Sequence, residues 1–543
     1  KFVDGVMKIS GSVDKEFDVP EISYADFSLD DSGKSDTIFV AFDGSRVSVS
    51  DYSWDKVSYV VDGANISFTS TQNKKSIVYY LSGTSSDGSF TITPDRAFTL
   101  VMDNLSLSSA SSSPLVINLG ADGDSYATNV ELKGKSTLSD ASSSSYKGCV
   151  YAKSKLKFGE LGGDGELTIS GNTKHAINSS KKTEFYAGTV NIISAQGDGL
   201  NSDGLQMYGG KLNISGTGGD GVDASESILI EKGEFVFSSS AEDVKALKSD
   251  SSIVVKGGNV DITMTGAAAK GMKTSFADIE IYGGEIIMNI DGTSIIADGD
   301  TSYSAAIKTD MGVVISDGKI DLTLGKNAIA SKGITADGDV TVKGGVVKIT
   351  NNGGYYTGAT TTTSTGGWGG GFGGSSSTST AYTEGRCVKG NNVYLTAGDL
   401  TLMTSDGAKG VKAEADLIVG AEKADNSALT INVTTNGTAT SSSTSSSTGG
   451  RPGGFGGMSD GNSSKYAGNP KAFVGENITV NSGTIIVDAK DDAFHANTKL
   501  EVNGGDLTID TSDDAMHSDG DLTFNDGYLR VKTAYEGLEG SNI

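Results

Sequence analysis

The chain has only 2 cysteines, 5 prolines and 3 histidines in 543 residues. Two thiols are too few for the disulfide framework of a small secreted scaffold. So little proline excludes collagen and proline-rich spacers. With three histidines and no Ser/His/Asp phrase, no complete catalytic constellation stands out. Long apolar runs are missing as well: no window approaches the ~18 uninterrupted apolar residues of a membrane helix, so a soluble chain with no membrane insertion is expected. Basic residues are the minority, 43 Lys and Arg against 68 Asp and Glu, for a net charge of -25. Nucleic acid or an anionic bilayer would be repelled at long range, so neither is an expected partner. Helical i, i+3, i+4 apolar spacing is nearly absent.

What is plentiful is glycine, 75 residues, and its placement is periodic. From residue 148 onward a small residue opens a phrase of apolar and polar residues, an apolar-x-apolar triplet, a glycine turn and a second such triplet, as in DGLNSDGLQMYGGKLNIS at 198–215. The small anchors are Cys149, Ala176, Gly199, Gly221, Ala246, Gly271, Ala306, Ala328, Cys387, Gly410, Ala472, Ala493, Ala515 and Gly537. Most follow one another at about 22-residue intervals, the mark of a repeat architecture. The triplets alternate with period two, as in Leu205/Met207 and Leu212/Ile214, which predicts strands. Between them Gly188, Gly210, Gly233, Gly258, Gly284, Gly318, Gly345, Gly398, Gly483, Gly505 and Gly527 mark a corner that needs positive φ. Three short strands per coil of about 22 residues make an all-β parallel β-helix, a solenoid whose coils stack ~4.8 Å apart. Cys149 and Cys387 then lie roughly 38 Å apart along the stack, so they form no disulfide and read as inert small apolar residues.

The regular pattern covers 148–543. Residues 41–147 also alternate, in segments such as SIVYYLSG and AFTLVMDNLSL, but with uneven spacing, and are expected to form irregular first coils. Residues 1–40 lack the pattern and are assigned to an N-terminal extension or cap. Two Gly/Ser/Thr-rich insertions, at about 351–383 and 433–468, interrupt the stack; their composition predicts mobility, and their places in the repeat predict that they leave side by side from one edge. A chain that starts on Lys1 rather than Met is expected to have lost a leader or a preceding segment. The final YEGLEGSNI opens a coil without completing it, so further chain or another molecule is expected to cover that end.

Stacking turns each column of the repeat into a ladder of side chains. Two residues beyond the anchors the outward column reads Tyr151, Asn178, Asn201, Asp223, Lys248, Lys273, Lys308, Ala330, Lys389, Lys412, Val474, His495, His517 and Glu539. Its lysines Lys248, Lys273, Lys308, Lys389 and Lys412 form a basic stripe, with Lys245, Lys270, Arg386, Lys409 and Lys471 upstream on the same edge. One reading is a cationic track along a polysaccharide, where a lysine crowded by others has a lowered pKa and can act as a base. The other is that Asp250, Asp310 and Glu414 neutralise the stripe as exposed ion pairs worth ~0–1 kcal/mol each. Acidic clusters flank it: Asp198, Asp203, Asp220 and Asp223 on one side, and Asp491, Asp492, Asp513, Asp514, Glu536 and Glu539 on the other. Stacked carboxylates repel unless a cation sits between them, and oxygen donors favour Ca²⁺ over Zn²⁺. His495 and His517 keep a transition metal open, and solvated Asp-Gly turns are the plain alternative. Asn481, Asn503 and Asn525 predict a structural amide ladder, and Tyr186 and Tyr208 an aromatic pair. Trp368, Phe372 and Phe455 in the insertions are candidates to stack on sugar faces.

The phrases DGLNSDGLQMYGGKLNIS, DDAFHANTKLEVNGGDLTIDTSDDAMHSDGDLTFNDGYLRVKTAYEGLEG, SIVYYLSGTSSDGSFTI and ELKGKSTLSD resemble a bacterial family of extracellular carbohydrate-binding β-helix domains, itself similar to family-nine polysaccharide lyases. The resemblance covers roughly 45–543 and implies a right-handed β-helix, bound calcium, binding to cellulose and polygalacturonate, and a secreted or surface-attached bacterial protein. It places the family's aspartate-rich turns at Asp198, Asp220, Asp492 and Asp514. The chain departs from the family in its two insertions, and in reading Lys-Gly-Met-Lys at 270–273 and Lys-Gly-Val-Lys at 409–412 where the family has an acidic residue first. Three functions are weighed. The leading one is an adhesin-like module that holds polysaccharide without cleaving it. The second is a calcium-dependent lyase with Lys273 or Lys412 as base. The third is a filament subunit that self-associates end to end.

Overall fold

The computed structural model describes residues 36–71, 75–297, 300–362, 377–437 and 469–543, with two short antiparallel strands at Phe2–Val3 and Val6–Met7. Most of the expected extension at 1–40 and large parts of both insertions, Trp368, Phe372 and Phe455 included, lie outside the described residues. Among the described residues the chain is all-β, and the single helical element is a 3-10 turn at Asn426–Ala428.

Forty-two strands belong to one sheet. Its first strands pair antiparallel, Thr37–Asp43 with Arg46–Val49 and Val57–Asp62 with Ala64–Ser70. The later pairings are parallel and join a strand to its counterpart one repeat away: Lys245–Ser249 pairs with Val222–Ala224 before it and Lys270–Thr274 after it. The next two strands, Ile253–Val255 and Asn259–Met264, pair in the same way with Ile279–Ile281 and Glu285–Ile290. Three strands per repeat thus lie on three ladders. Period-two alternation decides which side chains face inward, as the burial of Val260, Ile262 and Met264 between exposed neighbours shows.

In-register pairing stacks equivalent apolar residues through the interior. Leu247, Met272, Ile307, Ile334, Val388 and Val411 form one such row, all essentially without exposed surface. Each such side chain contributes ~1.5–3 kcal/mol by leaving water. Where the row carries phenylalanine the rings stack, Phe473 on Phe494 at 4.7 Å between centroids. The anchors are small because a large residue from the same coil lies over them: a Cβ on Gly271 would come within 2.5 Å of Met288 Sδ and 2.6 Å of the Ala306 carbonyl oxygen. The corner glycines take positive φ at all of the expected positions, from 68° at Gly210 to 113° at Gly318.

One repeat is displaced from its expected register. Ala328 and Ala330 belong to the turn before the strand, and Ala330 has a φ of 58°. The anchor is Gly333, and the column between Lys308 and Lys389 is held by Thr335, which is buried. Ile334 is what selects this register, because only then does it stack between Ile307 and Val388. Cys149 and Cys387 are buried and free, and burial pushes both thiol pKa values up.

Candidate functional site

The anchor strands place their outward residues in one row along an edge of the sheet. In order these are Tyr151, Asn178, Asn201, Asp223, Lys248, Lys273, Lys308, Thr335, Lys389, Lys412, Val474, His495, His517 and Glu539. A second row runs three residues upstream, including Asp198 and Asp220, then Lys245, Lys270, Lys332, Arg386, Lys409 and Lys471, then Asp492, Asp514 and Glu536. Along the stack the upstream row reads acidic, basic and acidic again, while the outward row runs from neutral polar residues and Asp223 through the lysines to two histidines and Glu539.

The basic stretch is partly neutralised. Lys248 Nζ lies 3.0 Å from Asp223 Oδ1 and 3.5 Å from Asp220 Oδ2. Burial pushes its pKa down, but these carboxylates outweigh that and raise it. Glu414 pairs with Lys412 at 2.9 Å and Lys389 at 3.4 Å. Lys308 sits 5.1 Å from the Tyr303 ring centroid. Lys273 has no carboxylate partner among the described residues. Of the expected neutralising acids only Glu414 acts; Asp250 and Asp310 form no ion pair with the row among the described residues, and Asp220 and Asp223 act at Lys248 instead.

The upstream cations are not a second exposed track, because they are largely buried and held by the scaffold. Lys270 Nζ reaches Asp243 at 2.9 Å. Lys332 Nζ donates to the carbonyls of Ala330 and Glu384 and lies 4.6 Å from the Tyr303 centroid. Burial, then Arg386, push its pKa well down. The Glu384 carboxylate accepts from Arg386 at 2.9 Å and from Lys409. Burial would raise the Glu384 pKa, yet Lys409 and Arg386 hold it at about 2.

The acids gather into clusters. Oxygens of Asp198, Asp220 and Asp223 lie within 4.8 Å of one another, as do those of Asp491, Asp492 and Asp513. Asp514, His517 and Glu539 converge in the same way, as do Asp492, His495 and His517, and the two imidazoles stack at 4.6 Å. Burial raises the Asp514 pKa; the His517 hydrogen bond offsets part of this, and Asp492, Glu539 and Asp513 push further, to about 6. Such repulsion is what a divalent cation relieves; the two all-carboxylate sets suit a hard ion, whereas the two sets that include histidine also suit a transition metal. Lysines already stand at two clusters: Lys248 at the first and Lys471, hydrogen-bonded to Asp492, at the second. Asp203 stands apart, 3.9 Å from Lys181 on another face, and Glu536 is exposed, opposite Asp514 in register.

A cavity of about 310 Å³ opens at the Tyr151 end of the row, lined by Tyr146, Tyr151, Lys147, Lys153, Lys174 and His175 with Asn178 and Asn201. A larger groove of about 520 Å³ lies on the next face, where Lys155, Lys157, Lys181 and Lys182 are each paired with a carboxylate.

A family model for carbohydrate-binding domain-containing proteins matches residues 62–353, 377–515 and 495–537. The chain belongs to that family. Its matched residues take in both rows from Tyr151 to Glu536, and the cavity. No curated protein matches the chain. Among solved structures, a polysaccharide lyase-like protein from C. thermocellum, in a gadolinium derivative, is similar at 19% identity and a TM-score of 0.26, over 58% of this chain and 94% of that one. A score that low carries no argument.

In this carbohydrate-binding chain the structural ladders stand where the repeat puts them. Asn503 donates to Asn481 at 3.2 Å and Asn525 to Asn503 at 2.8 Å, and Tyr186 stacks on Tyr208 at 5.1 Å. Reasoning from the repeat missed Lys332, hidden by the register shift, and Glu384, which lies at the foot of the first insertion. It also missed the cavity, which draws on residues between the strands.

Proposed function

We propose that this chain is an extracellular, adhesin-like protein, secreted or held at a bacterial cell surface, that retains polysaccharide of the cellulose or polygalacturonate class without cleaving it. Its surface is read as that of a calcium-stabilised, right-handed parallel β-helix. The observation that carries the reading is the in-register row from Tyr151 to Glu539, which, apart from buried Thr335 and Val474, presents polar and charged groups at the ~4.8 Å strand spacing, close to the pitch of sugar residues. Such a row suits an extended polymer better than a compact ligand, and membership of the carbohydrate-binding family points the same way.

Calcium is assigned to the clusters around Asp198, Asp220 and Asp223 and around Asp491, Asp492, Asp513 and Asp514, on the chemistry of their donors. When bound, the ion would neutralise the stacked carboxylates and could bridge to an acidic glycan. A chain of net charge -25 needs that bridge, or the lysines, to hold a polyanion, whereas a neutral glucan needs neither.

The lyase reading keeps one supporting observation: Lys273 lacks a carboxylate partner among the described residues, whereas Lys412 is held by Glu414. Co-sedimentation with insoluble cellulose and affinity electrophoresis in polygalacturonate test the proposal. Retention in either supports it, and retention in neither sinks it.

A further inference from the structure

We propose that the cavity at the Tyr151 end of the row is a subsite for one acidic sugar residue, a hexuronate. This rests on the polysaccharide-binding reading and adds to it a place and a charge. At about 310 Å³ the cavity stands at the small end of ligand sites, roughly 300–1,000 Å³, which suits one ring rather than a chain segment.

Its charge runs against that of the molecule. In a chain of net charge -25, Lys147, Lys153 and Lys174 converge on one opening, and none of the three has a carboxylate partner among the described residues. Lys248, Lys389 and Lys412 are all neutralised by acids, as are the four lysines of the larger groove. Uncommitted ammonium groups around a small opening select a carboxylate.

The rest of the lining suits a sugar ring. Tyr146 and Tyr151 stand 4.9 Å apart between centroids and form an aromatic wall on which the C–H face of a pyranose packs. Lys153 Nζ lies 5.3 Å from the Tyr151 centroid, which holds one ammonium beside that wall. Asn178 donates from Nδ2 to Asn201 Oδ1 at 3.0 Å, leaving its own Oδ1 to accept from a sugar hydroxyl. His175 is fixed at the back, its Nδ1 3.2 Å from the Asp198 backbone nitrogen and 3.1 Å from the Asp198 carboxylate, which sets one acid at the cavity's rear against the three lysines of its lining. A polymer leaving this subsite along the row meets Asp220 and Asp223 next.

The test is calorimetric titration of the whole chain with trigalacturonate and with cellotriose, at low and high salt. A variant combining Lys147→Gln, Lys153→Gln and Lys174→Gln is compared with Tyr151→Ala and, from outside the row, Lys348→Gln, whose lysine pairs with Asp321. The parent should bind trigalacturonate more tightly than cellotriose, and less so in high salt. The triple variant should lose about tenfold or more for trigalacturonate with cellotriose unchanged, Tyr151→Ala should weaken both, and Lys348→Gln should leave the preference intact. If the triple variant unfolds, Lys174→Gln alone should still lose part of the preference. A triple variant that binds trigalacturonate like the parent, or a parent that retains polymers but binds neither trimer, overturns the subsite and leaves the general reading standing. A parent that holds neither trimers nor polymers overturns both.

Discussion

Glu384 is the counter-charge beneath the middle of the lysine row, and replacing it has a calculable consequence. Its carboxylate takes hydrogen bonds from Arg386 and Lys409, while its backbone carbonyl accepts from buried Lys332. Its pKa of about 2, against an ordinary 4.5, corresponds to roughly 3 kcal/mol of stability. Because the folded-state value is depressed, that contribution is fully present above about pH 4.5 and is lost as the pH falls through about 2. Glu384→Gln leaves Arg386 and Lys409 buried without a counter-charge, so the variant should be about 3 kcal/mol less stable near pH 7, with the deficit shrinking steadily below pH 4.5. Urea unfolding at pH 7 and pH 3 measures the gap, and amide hydrogen exchange should localise it to Lys332–Ala336, Arg386–Gly390 and Lys409–Ala413. Lys389 and Lys412 stand on the same strands, so polysaccharide retention should weaken together with stability. A variant as stable as the parent at pH 7, or a deficit indifferent to pH, would refute the reasoning.

Other perturbations follow from the same geometry. Gly333→Ala would bring a Cβ within 2.5 Å of the Cys387 carbonyl oxygen and 2.6 Å of Ile349 Cγ2, and should cost ~1–3 kcal/mol in thermal unfolding, whereas Gly537→Ala, with nothing within 4 Å, should be neutral. Asp514 has a pKa raised to about 6 and binds its proton more tightly folded than unfolded, so in chelator the stability should rise as pH falls from 7.5 to 5. Asp514→Asn should flatten that rise, and should also reduce the Tm gain from calcium at pH 7.5; an unchanged pH response in the variant would count against the assignment. Cys149 and Cys387 should be silent to a thiol reagent in the folded protein and both react after denaturation.

Much of this architecture was legible because the repeat ties chemistry to position. A glycine at a fixed place between two apolar triplets meant a corner of positive φ, and every such residue adopts one. Ala328 was misread because Ala328-Ile329-Ala330 and Gly333-Ile334-Thr335 are two phrases, five residues apart, that each open on a small residue followed by isoleucine. Spacing favours the first, and the stacking of Ile334 on Ile307 and Val388 selects the second. Lys270 looked like an exposed cation because alternation says nothing of Asp243, which reaches it from the loop before Lys245–Ser249, the paired strand one repeat earlier. Asp203 looked like a partner of Asp198 by proximity in sequence, but it lies beyond the corner and faces Lys181. The cavity escaped notice for a similar reason: Tyr146, Lys147, Lys153 and Lys174 lie outside the strands, where periodicity does not report direction.

The most direct test of the central claim is incubation of the protein with polygalacturonate, in calcium or in chelator, reading co-sedimentation and the ultraviolet absorbance of unsaturated product together. The account predicts retention in calcium, weaker retention in chelator and no product in either. Unsaturated product would make the protein a lyase and turn attention to Lys273, and a failure to retain either polygalacturonate or cellulose would contradict the account outright.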